Sequence, residues 1–187
     1  WVSLLILTVW IGWRAVYQNG DVPVEMIVYT QTSPSLRDAY KEISKNIEKS
    51  DVPNAITIDQ TGGFSWPWAW YLRDRTDVGY VDHSGTLSED SSSKVLLLHI
   101  DNRPAEDSII EESYKSGIVI PHRWWFPEIY RGLTFSKLVR GSLSGKTWRT
   151  FYDYFVYRKL SQSLGSEDVI IYVSKEIQFN LENEPYR

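Results

Sequence analysis

Short apolar runs recur along this chain with amphipathic, helix-periodic stretches between them, and this alternation narrows the possible folds more than any other feature. Residues 24–29 (VEMIVY), 55–59 (AITID), 95–100 (VLLLHI) and 169–173 (VIIYV) are bounded by turn residues and read as buried strands. Shorter strands are expected at Val78–Val81 and at 118–121. Ser33-Pro34 is a good helix start, with Ser as the cap and Pro in the first turn. Leu36, Ala39, Tyr40, Ile43 and Ile47 then recur at helical spacing opposite a charged face, until 51–54 breaks the pattern. Further helices are expected at 66–74, 105–116 and 147–160, the last with Trp148, Phe151, Tyr152 and Phe155 on one stripe. Strands alternating with helices predict an α/β fold, a mostly parallel sheet with helices on both faces. The last strand is a candidate for an antiparallel edge. Residues 82–93 read as an acidic, Ser-rich loop, and the tail from Asn180 reads as frayed.

With 187 residues the chain has room for one ordinary domain, expected at 21–178 between a leading segment at 1–20 and a tail at 179–187. It has no Cys, which excludes disulfides, thiolate metal sites and a cysteine nucleophile. A net charge of -4 argues against nucleic acid as a partner. The aromatic content is the outlier: 9 Trp, 12 Tyr and 6 Phe favour a carbohydrate-facing or membrane-interface protein.

Residues 1–13 (WVSLLILTVWIGW) carry no charged side chain, and Arg14 is the first. The run is shorter than the roughly 20 apolar residues that a bilayer span requires. It reads as the end of a transmembrane helix, with Trp10, Trp13 and Tyr17 at headgroup level. A signal-peptide core and a buried helix of a soluble domain compete with that reading. The signal peptide lacks a basic leader and a small-residue cleavage site.

Ligands of open α/β sheets gather at the carboxyl ends of the strands. The expected ends are 30–33, 59–66, 101–103 and 122–125, and two of these hold the unusual residues. In the first, Asp59 precedes Gly62 and Gly63, which let backbone approach a ligand, and Ser65 could open a helix suited to an oxyanion. The segment is neither a P-loop nor a dinucleotide fingerprint. At helical spacing Trp66 and Trp70 share one face and Trp68 points elsewhere. Either the first two pack on the sheet, or Trp68 lies on a sugar or in lipid headgroups. In the second, His122 and Arg123 could grip a phosphate beside Trp124 and Trp125, while Glu128 could simply pair with Arg123 or Arg131.

Residues 121–160 concentrate eight basic side chains against Glu128 and Asp153, among eleven aromatics. Basic plus aromatic suits an anionic membrane surface or a glycolipid head. A solvated helix face over core aromatics is the plainer alternative. Catalytic signals are weak. His83, His99 and His122 lack metal-ligand spacing, and His99, inside an apolar strand, reads as a satisfied core histidine. Asp59, Asp82 and Asp101 follow strands and could be general bases or caps. No nucleophile elbow, metal site or cofactor is expected.

The order of an apolar leading helix, Tyr29-Thr30-Gln31-Thr32-Ser33-Pro34, Trp66-Pro67-Trp68-Ala69-Trp70-Tyr71-Leu72-Arg73 and Arg123-Trp124-Trp125-Phe126-Pro127-Glu128 resembles the C-terminal part of polytopic membrane proteins described as flippase-activity-associated. Those proteins are similar to dolichyl-phosphate-mannose-type glycosyltransferases of the GT-C class. The resemblance extends over essentially the whole chain, but only these Trp-rich stretches are distinctive. It implies a polyprenyl-phosphate-linked sugar as substrate and an extracytoplasmic domain behind membrane helices of the same protein. GT-C enzymes typically carry their catalytic carboxylate in the first extracytoplasmic loop, which this sequence does not contain, so no catalytic residue is carried over. The expected role is recognition of donor or acceptor by Arg73, Arg123, Trp68, Trp124 and Trp125. A non-catalytic scaffold domain is the alternative, and a free-standing hydrolase or transferase would need a catalytic cluster that the sequence does not show.

Overall fold

The computed structural model describes residues 1–25, 28–47, 54–82, 93–103, 108–129 and 131–181. Part of the 24–29 run, the start of the 105–116 helix, nearly all of the 82–93 loop with His83, and the end of the tail lie outside them. The chain divides into two compact units, Trp1–Gln31 with Arg123–Ser166, and Thr32–His122 with Glu167–Arg187.

The first helix of the larger unit is α2 (Pro34–Asn46), preceded in the chain by α1 (Val2–Trp13) of the other unit. Ser33 caps α2 as expected, its hydroxyl accepting from Ser35 N at 3.2 Å. Leu36, Ala39 and Ile43 are buried at the expected spacing. The strands β2 (Ile56–Asp59), β3 (Val78–Val81) and β4 (Val95–His99) follow, and β2 pairs in parallel with both β3 and β4. A short helix, α3 (Trp68–Tyr71), lies between β2 and β3, and α4 (Ser108–Ser113) follows β4.

The sheet has six strands in the order β1-β5-β6-β4-β2-β3, where β1 is Gln31–Thr32, β5 is Ile118–Trp125 and β6 is Gly165–Val173. β6 runs antiparallel to β4, with His99 opposite Val169 and Val95 opposite Val173. Gly117 gives β6 close access to the segment leading into β5: a Cβ there would meet Ile170 Cδ1 at 2.6 Å. The expectation of a mostly parallel sheet is therefore corrected. The sheet is mixed and mostly antiparallel, and β6 is an interior strand rather than an edge. An apolar run buried on both faces has no polar side to mark its direction or neighbours, so its sequence reads the same either way.

Alternation along β4 and β6 divides the core. Val95, Leu97, Val169, Ile171 and Val173 face α2, Phe64 and Trp68, whereas Leu96, Leu98, Ile170 and Tyr172 face Ile110 and Tyr114. Helical residues thus cover both faces, and each fully buried aliphatic side chain contributes about 1.5–3 kcal/mol. Phe179 and Leu181 pack against the first cluster, so the tail is anchored up to that point rather than frayed from Asn180.

The smaller unit holds α1 (Val2–Trp13), a π-helical turn at Arg14–Gln18, α5 (Phe135–Ser142) and α6 (Gly145–Tyr157). None of its three α-helices contains a buried residue. The expected strand at 24–29 is absent in its described part. Glu25 is held instead by Arg158, and the Val24 carbonyl accepts from the Tyr154 hydroxyl at 3.1 Å. A side chain thus takes up the Val24 carbonyl, which a strand would use in its ladder. α1 has 12 residues, and no helix among the described residues is long and apolar enough to cross a membrane.

Candidate functional site

The parallel register brings the carboxyl ends of β2 and β3 together, with Asp59 opposite Val81. Asp59 is fully buried there. Its Oδ1 accepts from Thr61 N at 2.9 Å and the Thr61 hydroxyl at 2.7 Å. Its Oδ2 accepts from Asn102 Nδ2 at 2.6 Å and His99 N at 3.1 Å. Burial pushes the carboxyl pKa up, but hydrogen bonds from Thr61, Asn102 and the His99 backbone outweigh it and hold the group below the usual carboxylate range. A carboxylate with this pKa and its acceptor sites engaged makes a poor general base, so that expectation for Asp59 is corrected to a staple between the ends of β2 and β4. Sequence reasoning missed Thr61 and Asn102, although Asp followed two residues later by Thr is the signature of an Asx turn.

His99 is satisfied, as expected. Its Nδ1 accepts from Asp101 N at 3.1 Å, which leaves the proton on Nε2, 3.2 Å from Glu167 Oε1. Glu167 arrives from β6, and nothing in the local sequence links it to His99. His122 is fully buried and stacks on Phe64, with ring centroids 4.2 Å apart. No group of three or more His, Asp or Glu side chains among the described residues is arranged to hold a metal ion.

The Trp-rich segment reverses the expected orientation. Trp68 is 0% exposed, whereas Trp66 is 61% and Trp70 57% exposed. Turns occupy 64–67 and the helix starts only at Trp68; Trp66 and Trp70 still share one side and Trp68 the other, and it is the side turned to the core that differs. Trp68 and Leu72, the residue just after the helix, are buried together in the core. Trp68 therefore contacts neither sugar nor lipid, and its buried indole N–H has no hydrogen-bond partner among the described residues. α3 is four residues long and has no side-chain cap, so the oxyanion site expected at Ser65 is not formed by a helix terminus. Outside, the Arg73 guanidinium lies 4.4 Å from the centroid of the Trp70 ring and donates to the Trp70 carbonyl at 2.7 Å. Gly62 and Gly63 adopt φ of 59° and 78°, with open space where a Cβ would point.

His122, Arg123, Trp124 and Trp125 are strand residues, not a loop at a strand end, because β5 continues to Trp125. Bulky aromatics favour extended backbone, which extends the strand beyond Pro121. Trp124 is buried, Arg123 and Trp125 are half-buried, and Trp125 packs against Gly165. The expected free platform of Trp124 and Trp125 is therefore largely taken up by packing. Glu128 pairs with Arg131 at 2.5 Å, one of the two partners expected for it. Asp59, Gly62, Gly63, Trp66, Trp68, Arg73 and His122 thus belong to the larger unit, and Arg123, Trp124 and Trp125 to the smaller.

No protein-family model matches the chain, and searches of curated proteins and of solved structures find no match to it.

Proposed function

We propose that this chain is the extracytoplasmic α/β part of a GT-C-like membrane protein and that it recognises a polyprenyl-phosphate-linked sugar. The observation that carries the reading is the exposed Trp70–Arg73 stack, which follows the open Gly62-Gly63 turn along the chain. An indole offers a flat apolar surface to the C–H face of a sugar ring, and a guanidinium offers paired donors to a phosphate. Trp66, also exposed, offers a second indole in the same segment. The Asp59 staple keeps the turn in place. The likeness of the Trp-rich stretches to the flippase-associated family supports the same ligand class, and lipid is the setting in which such a ligand occurs. The apolar, exposed α1 supports immersion of the smaller unit in that lipid.

A non-catalytic scaffold role is the second reading. It is favoured by the saturation of Asp59 and His99, which leaves neither as a free acid or base. Calorimetric titration of the chain with a short, water-soluble isoprenyl-phosphate sugar separates the two. Saturable binding, weakened about tenfold or more by Trp70→Ala or Arg73→Ala, is the expected result. Absent binding, or binding indifferent to both substitutions, overturns the recognition role.

A further inference from the structure

The helices α5 and α6 of the smaller unit are amphipathic in the wrong sense for a water-soluble domain. In α6, Trp148, Phe151, Tyr152 and Phe155 recur at i, i+3, i+4 and i+7, and all four are exposed. In α5, Phe135, Leu138 and Val139 make the same kind of stripe, also exposed, and Leu143 between the helices is 84% exposed. A helix of a globular protein turns such a stripe toward its core. Contiguous exposed apolar surface of this kind marks an interaction face.

Charge identifies the occupant. α5 carries Lys137 and Arg140 and no acid, and α6 carries Lys146 and Arg149 against Asp153. None of these four cations forms an ion pair among the described residues; the nearest ion-paired cations are Arg131, with Glu128, and Arg158, with Glu25. A protein groove lined by acids could take the cations, but at helical spacing the two helices set Trp, Phe, Tyr or Leu on one face and Lys and Arg on the other, the pattern of a helix that lies on an anionic bilayer surface. At 8 and 13 residues the helices are too short to span.

We propose that α5 and α6 lie in the plane of an anionic membrane surface, with their aromatic stripes at the acyl boundary and Lys137, Arg140, Lys146 and Arg149 among the phosphates. The inference rests on the smaller unit alone and is independent of the sugar site, since its test reads vesicle contact rather than sugar binding.

The chain has no Cys, so a single introduced thiol labels one position. The full chain carrying Leu143→Cys is labelled with an environment-sensitive dye, and Ser44→Cys on α2, also exposed, is the control. Phosphatidylcholine vesicles with and without about one third phosphatidylglycerol are the probes. The expected result is a blue shift and several-fold brightening at residue 143 on the anionic vesicles only, with residue 44 unchanged. Lys137→Gln together with Arg140→Gln should weaken that response about tenfold or more. The label reports on the α5–α6 face even where α1 binds vesicles by itself. Vesicle binding without a shift at residue 143, a response equal on both vesicles, or a shift caused by self-association in the absence of lipid would each overturn the proposal.

Discussion

Arg158 Nε donates to Glu25 Oε1 at 2.7 Å, joining residues 133 positions apart with both side chains buried. The same guanidinium donates through Nη1 to the Phe155 carbonyl at 2.6 Å and so closes the end of α6. It also sits 6.0 Å from the Trp10 ring of α1. One side chain thus ties the entry segment, α1 and α6 of the smaller unit, which otherwise buries little.

Removing one member of that pair leaves a buried charge. Glu25→Ala should cost about 3–5 kcal/mol, and Glu25→Ala with Arg158→Met should cost less than the sum of the two single substitutions. Urea unfolding of the four proteins in the cycle measures it, and additive losses would show that the two residues are uncoupled.

Asp59 sets an acid limb of stability. Its folded pKa lies below the unfolded value, so the ionised form is stabilised on folding. That contribution is present in full above about pH 4 and is lost as pH falls through the folded pKa. Asp59→Asn should flatten the decline below about pH 4 and lower stability at neutral pH. Thermal melts across the acid range check both signs.

The three indoles of the Trp-rich segment should separate cleanly. Trp68→Ala opens a cavity in the core and should cost about 3–5 kcal/mol. Trp66→Ala and Trp70→Ala, at exposed positions, should change stability by no more than about 0.5 kcal/mol. Equal losses at all three positions in denaturant titrations would contradict the orientation described.

Gly117 is a packing glycine. A Cβ there would lie 2.6 Å from Ile170 Cδ1 and 2.8 Å from Tyr172 Cε1, both in the interior strand β6. Gly117→Ala should destabilise by about 1–3 kcal/mol through overpacking. A melting temperature unchanged from the parent would show that β6 can move aside.

Much of the local structure was readable from the residues. Ser33-Pro34 marked the start of α2 because capping is decided within three residues. Leu36, Ala39 and Ile43 marked its buried face because helical period is local as well. The site was legible only in part. Asp59, Gly62 and Gly63 were found from strand-end position, yet the partners that fix Asp59 include Asn102, 43 positions away. The indoles were found and grouped by side, but spacing alone could not say which side meets the core.

By itself, then, the sequence determined which segments are apolar enough to form strands, where the first long helix starts, and that aromatic and basic residues concentrate in one stretch. Only the tertiary structure decided that β6 enters between β5 and β4 against the direction of β4, that Trp68 turns inward while Trp70 meets Arg73 outside, and that the stripes of α5 and α6 face outward. The reason is physical: periodicity says that two faces differ, whereas the neighbour that each face meets depends on contacts between residues far apart in the chain.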